Sequence, residues 1–132
     1  ILPKEHPLAK YERIPVQALD GIDFIIPSDE QSKMLHDAIL NFAKDHGIEF
    51  NIVQKADNIL FNINSIGIVL GCTILPGYIA TLTMNNTVIR PLDVELPSLD
   101  LFVSYRKNSN STAVQKFMDL LSKVFYLDFN QS

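Results

Sequence analysis

The sequence predicts an α/β fold with a mainly parallel sheet flanked by helices. Two observations carry that expectation. Short β-branched runs ending near Pro or Gly are separated by stretches whose apolar residues recur at helical spacing. The separating stretches are long enough for right-handed crossovers, which lay successive strands parallel in one sheet. Composition agrees: 132 residues, 47% hydrophobic and 20% charged, suit one compact soluble unit.

Asp23 to Ile26 is the first clear strand, ended by Pro27. Ser28-Asp29-Glu30-Gln31 then has the spacing of a capping box, in which the Ser28 hydroxyl and the Gln31 side chain satisfy each other's backbone donors. Met34, Leu35, Ala38, Ile39, Phe42 and Ala43 form the buried stripe expected of the following helix. Gly47 stops it in a left-handed cap, with Lys44 and His46 near its negative end. Glu49 to Gln54 is the next expected strand. Asp57 is the expected cap of a second helix through Ser65, with Ile59, Leu60, Ile63 and Ile66 as its apolar face. Cys72 to Leu75 is the third strand of the unit.

Beyond it, Gly77 to Leu82 suits a short helix, Asn85-Asn86 a turn, and Thr87 to Leu92 and Leu99 to Arg106 two further strands, with Pro91 and Pro97 breaking the connection. Asn108 to Asn110 reads as a polar loop. Ser111 or Thr112 caps a closing helix whose apolar side is Ala113, Val114, Phe117, Leu120, Leu121, Val124 and Phe125.

Several function classes find no support. No apolar stretch approaches the roughly 20 residues of a membrane helix, and Ile1-Leu2-Pro3-Lys4-Glu5 lacks the basic start and apolar run of a signal peptide. The single cysteine, Cys72, reads as a small buried hydrophobe and fits a reducing cytoplasm. A net charge of −4 lacks the basic footprint of a nucleic-acid binder, so this chain alone is not expected to bind DNA. There is no nucleophile elbow, phosphate loop, dinucleotide fingerprint or paired-cysteine motif. His6, His36 and His46 do not cluster as metal ligands, and Asp29, Glu30, Asp37 and Asp45 read as the solvated face of a helix. No catalytic residue, metal or cofactor is expected.

Three signatures follow one another at close spacing: Leu70-Gly71-Cys72-Thr73-Ile74-Leu75-Pro76, Val88-Ile89-Arg90-Pro91-Leu92 and Leu101-Phe102-Val103-Ser104-Tyr105-Arg106. His6-Pro7-Leu8-Ala9 precedes them, and Ala113 to Leu121 closes the series. In this order they resemble the effector-binding domain of LysR-type transcriptional regulators. One departure is visible: Val69 stands where that family usually has the first glycine of a Gly-x-Gly turn.

The resemblance implies a periplasmic-binding-protein-like lobe, with the crossover strand and closing helix of a second, incomplete lobe. Residues 8–99 would form the family's second lobe, and residues 1–7 and 100–132 the crossover segments and a remnant of the first. It further implies an interlobe cleft that binds a small-molecule effector, such as an aromatic or other organic acid. Ligands in such sheets sit beyond the strands' carboxyl ends, near helix N-termini. By the resemblance, the expected cleft residues are Ser28, Asp29 and Met34, Asp57 and Asn58, Thr73 at its strand end, and Val103 and Tyr105 on the crossover strand. Promoter DNA would be a partner through a winged helix-turn-helix absent from this chain, and the intact cytoplasmic protein would be a homo-oligomer, dimer or tetramer. A solute-binding component of a transport system, sharing the two-lobed fold, is the alternative.

Overall fold

The computed structural model describes residues 1–82, 85–98, 103–106 and 111–125, the side chains of Ala80 and Phe125 excepted. Its elements are β1 (Leu2–Pro3), β2 (Asp23–Pro27), α1 (Asp29–Asp45), β3 (Asn51–Ala56), α2 (Ile59–Val69), β4 (Thr87–Val88) and α3 (Thr112–Phe125), with 3-10 turns at Pro7–Lys10, Val16–Leu19 and Gly77–Leu82. The chain divides into two compact units, Ile1–Leu99 and Asp100–Ser132.

In the first unit β2 is central. β3 pairs parallel with one of its edges, and on the other Phe24 bridges Cys72, also parallel. Because β2–α1–β3 and β3–α2–Cys72 move in opposite directions across the sheet, right-handed crossovers put α1 and α2 on opposite faces. Side-chain alternation confirms this. Phe24 and Ile26 join the cluster containing Ile39, Phe42 and Ala43 of α1, whereas Ile25 packs with Ala56 and with Ile66 of α2. Phe24 also stacks on Phe50, with ring centroids 4.1 Å apart. One irregularity breaks the β2–β3 register: Phe24 is opposite Ile52 and Ile25 opposite Gln54, so Val53 is an extra residue. Gln54 thereby lies across from the residue that faces α2, and its amide donates to Ser65 Oγ at 3.0 Å.

A second, smaller pairing closes the unit. β1 is antiparallel to β4, Ile14 bridges Leu92, and Ile1 and Thr73 exchange backbone hydrogen bonds of 2.8 and 2.9 Å.

Several elements differ from the sequence expectation in instructive ways. β3 runs two residues later than expected, because Ile48 and Phe50 are consumed in turning the chain into the core. In α1 the row Phe42–Ala38–Met34 passes from buried through half-buried to 58% exposed, so the helix leaves the sheet toward its N-terminus and Met34 is not in the stripe. Leu60 likewise faces solvent; the sheet-facing side of α2 carries Asn62, Ile63, Ser65 and Ile66. Of the expected strand Thr87–Leu92 only Thr87–Val88 is regular, and Cys72–Leu75 is reduced to the Cys72 bridge. Residues 103–106 are not in a strand, while residues 99–102 and the expected loop 108–110 lie outside the described residues.

Both helix ends of the first unit use a left-handed residue. After α1, Gly47 has φ +64°, and the Gly47 and Ile48 N–H groups donate to the Lys44 and Ala43 carbonyls, the Schellman pattern. After α2 the same conformation falls on Leu70, with φ 56°, where a side chain is penalised. Gly71 follows because a Cβ there would lie 3.0 Å from the Ile25 side chain. These two caps make opposite predictions from one cause. Gly47→Ala should cost about 1 kcal/mol and Leu70→Gly, at a solvent-exposed position, should gain about 1 kcal/mol, as read from denaturant unfolding.

Candidate functional site

The carboxyl ends of the parallel strands lie side by side. The Ser28 N–H, one residue beyond β2, donates to the carbonyl of Ala56 at the end of β3, 2.8 Å away. The starts of α1 and α2 thus come from neighbouring strand ends, and on the other side of β2 the Thr73 hydroxyl donates to the Ile25 carbonyl at 2.8 Å. Ser28, Asp29, Asp57 and Asn58 therefore belong to one edge of the first unit, and Thr73 lies deeper, level with Ile25 in the middle of β2. Two of them are not open to solvent: Ser28 and Thr73 are buried, and the Thr73 hydroxyl is already engaged. Met34 is exposed, one turn into α1. Val103 and Tyr105 belong to the second unit, where both are exposed.

Capping at this edge is unlike the sequence expectation. At α2 the cap is Asn58, not Asp57: its Oδ1 accepts from the Phe61 N–H at 2.8 Å. Asp57 precedes the helix by two positions and cannot reach the same donor in that geometry. At α1 Ser28 occupies the cap position with extended backbone, but its hydroxyl makes no capping bond, so the capping box is not formed.

Two further side chains, neither expected at this edge from the sequence, complete it. Lys55, near the end of β3, places Nζ 3.0 Å from Asp29 Oδ1, and this bond holds the Asp29 carboxyl below its ordinary pKa. His36 reaches back from α1 to place Nδ1 2.7 Å from the Pro27 carbonyl oxygen. Lys55 lies 26 residues from Asp29 in sequence, and only the β2–β3 pairing joins them.

Behind the edge, Asn62 on α2 is 1% exposed, and neither its Oδ1 nor its Nδ2 has a hydrogen-bond partner. Such a group costs about 1–3 kcal/mol. Cys72 is buried and its thiol is pushed up to about 11 by that burial, so it stays protonated and is a poor nucleophile at neutral pH. Among the described residues no group of three His, Cys, Asp or Glu side chains could hold a metal ion. No described helix is long and apolar enough to cross a membrane.

The described edge thus consists of strand ends and helix starts carrying polar side chains. Residues 1–125 match the family LysR substrate binding domain. The chain belongs to that family. Its relatives include the Hca operon transcriptional activator HcaR of Escherichia coli, 31% identical over 123 residues, and the transcriptional regulators AlsR of Bacillus subtilis and TtuA of Agrobacterium vitis, 25% and 28% identical. Those alignments cover 93, 90 and 91% of this chain but only 42, 39 and 41% of the relatives. The fold of the family is also seen in the CcmR regulatory domain of Synechocystis, solved in complex with 2-PG. That structure aligns with a TM-score of 0.69 at 19% identity, over 93% of this chain and 60% of the other.

Within the family the observed cap at α2 has a direct consequence. Asn58→Ala should cost about 0.5–2 kcal/mol of stability, whereas Asp57→Ala should stay within about 0.5 kcal/mol of the parent. A larger loss for Asp57→Ala than for Asn58→Ala in thermal unfolding would return the cap to Asp57.

Proposed function

We propose that this chain is the ligand-sensing part of a LysR-type transcriptional regulator, which binds a small-molecule effector in a cleft between two lobes and thereby modulates transcription. The observation that carries the reading is the family match over residues 1–125, joined by relatives that are transcriptional regulators. Those relatives also favour a sensor over the solute-binding component of a transport system. On this reading residues 8–99 are the second lobe, residues 1–7 and 100–132 belong to the crossovers and the first lobe, and the protein is a cytoplasmic homo-oligomer without enzymatic activity. Promoter DNA is contacted by a winged helix-turn-helix outside this chain.

Effector contacts are assigned to Ser28, Asp29, Met34, Asp57, Asn58, Thr73, Val103 and Tyr105. Support for Ser28, Asp29, Asp57 and Asn58 is their common place at the sheet's carboxyl edge, beside two helix N-termini. Charge at that edge is less hostile to an anion than the acidic residues alone imply. Lys55 offsets Asp29, leaving a cation within reach of a carboxylate or phosphate ligand that can compete for it. An aromatic or other organic acid fits this chemistry, and the neighbouring CcmR domain, with its 2-PG ligand, is an example of a small anion held by the same fold.

The test uses the regulator that contains this sequence. Titration with a panel of aromatic monocarboxylates and small phosphorylated acids should identify a ligand that alters its binding to promoter DNA. Tyr105→Ala should then lower the response at least tenfold without loss of folding. The 132-residue chain alone should give no sequence-specific mobility shift at low salt. A specific DNA complex of the chain alone, or a regulator indifferent to every acid while binding its promoter, would contradict the reading.

A further inference from the structure

The start of α1 has the sequence of an ordinary helix N-terminus and does not use it. Ser28, a buried residue, has the extended backbone of a cap, φ −62° and ψ 136°, while its hydroxyl caps nothing. The Ser32 N–H still donates to the Ser28 carbonyl at 2.9 Å, closing one turn. At Ser32 itself the backbone leaves the helical region, with φ −141° and ψ 50°, so the turn Asp29–Gln31 is separated from the body of the helix.

The two sides of this break are fastened to different strands. Before it, the Ser28 N–H is bonded to Ala56 and Asp29 is paired with Lys55, both on β3. After it, His36 is bonded to the Pro27 carbonyl at the end of β2. Ser32 thus lies between a turn anchored on β3 and a helix anchored on β2.

We propose that the Asp29–Gln31 turn is a two-position device, with Ser32 as its hinge and the Lys55–Asp29 pair as its latch. The structure shows the latched position. In the other, Ser32 becomes helical, the helix runs unbroken from Asp29, and the Ser28 hydroxyl accepts a hydrogen bond from the Gln31 N–H. The opposing contributions are of similar size. A serine cap shifts an equilibrium about 2- to 30-fold, and an exposed ion pair shifts it by up to about fivefold. Neither position is therefore overwhelmingly favoured. Resting on the sensing function proposed above, an anionic ligand that draws Lys55 from Asp29 releases the latch, so occupancy at the sheet edge is converted into a change in the direction of the first turn of α1.

The latch and the cap must be coupled, which a double-mutant cycle measures directly. Unfolding equilibria of the parent, Ser28→Ala, Lys55→Met and the double variant are compared by chemical denaturation. With the latch intact, Ser28→Ala should change the unfolding constant less than twofold. In the Lys55→Met background, where the turn is free to cap, the same substitution should destabilise at least 1.5-fold more than it does in the parent. A smaller coupling overturns the proposal, whether Ser28 matters in both backgrounds or in neither. The cycle cancels the packing cost of altering a buried serine, and it uses no ligand, so its outcome is independent of whether the sensing function is correct.

Discussion

The first unit depends on β2 being buried on both faces and paired on both edges. Phe24, Ile25 and Ile26 are three consecutive large apolar residues that are all but inaccessible to solvent. Such a run is stable only where helices cover both sides of the sheet. One face is met by the Ile39–Phe42–Ala43 stripe of α1 and the other by Ile66 of α2. At about 1.5–3 kcal/mol for each fully buried side chain, this is the main local source of stability. It also fixes where the two helices begin, since each must start beside a strand end to cross back over the sheet.

Positioning of the sheet edge follows from that packing. The Ala56 carbonyl is brought to Ser28, and Lys55 to Asp29, by the β2–β3 register that the Val53 irregularity resets. Polar groups that do not serve the core are tolerated close to this edge: the unused Ser28 hydroxyl, the broken helix at Ser32 and the orphaned Asn62 amide. Each departs from what local stability favours, and departures of this kind concentrate where a fold binds or moves. The cap of α2 contrasts with them, since Asn58 Oδ1 accepts from the Phe61 N–H.

Much of this architecture was legible in the sequence because it rests on local chemistry. Pro27 ending β2, the helical spacing of Ile39, Phe42 and Ala43, and Gly47 as a left-handed stop all report interactions within a few residues. The family resemblance was legible for another reason, the fixed order of strand-end motifs around Pro76 and Pro91. What escaped was set at long range. Nothing near Met34 or Leu60 indicates that α1 diverges from the sheet or that α2 turns Asn62 inward. Capping by Asn58 instead of Asp57 depends on where β3 ends, and β3 is displaced by the core demands of Ile48 and Phe50. Lys55 enters only through strand pairing. The failed cap at Ser28 lies where sequence punctuation and tertiary anchoring compete, and the anchors to β3 prevail.

The second unit bears on the account differently. Its helix α3 is amphipathic, and Phe117, Leu120 and Val124 on it are 55, 57 and 58% exposed. Local stability follows local burial. Native-state hydrogen exchange on dilute, verified monomer therefore tests the central claim, that the fold is organised around β2. The amides of Ile25 and Cys72, bonded to Cys72 and Asp23 across the sheet, should exchange only through global unfolding, while those of α3 exchange at least a hundredfold faster through a separate opening. Equal protection of α3 and the β2 ladder would contradict the account, as would exchange at Ile25 and Cys72 that is insensitive to denaturant.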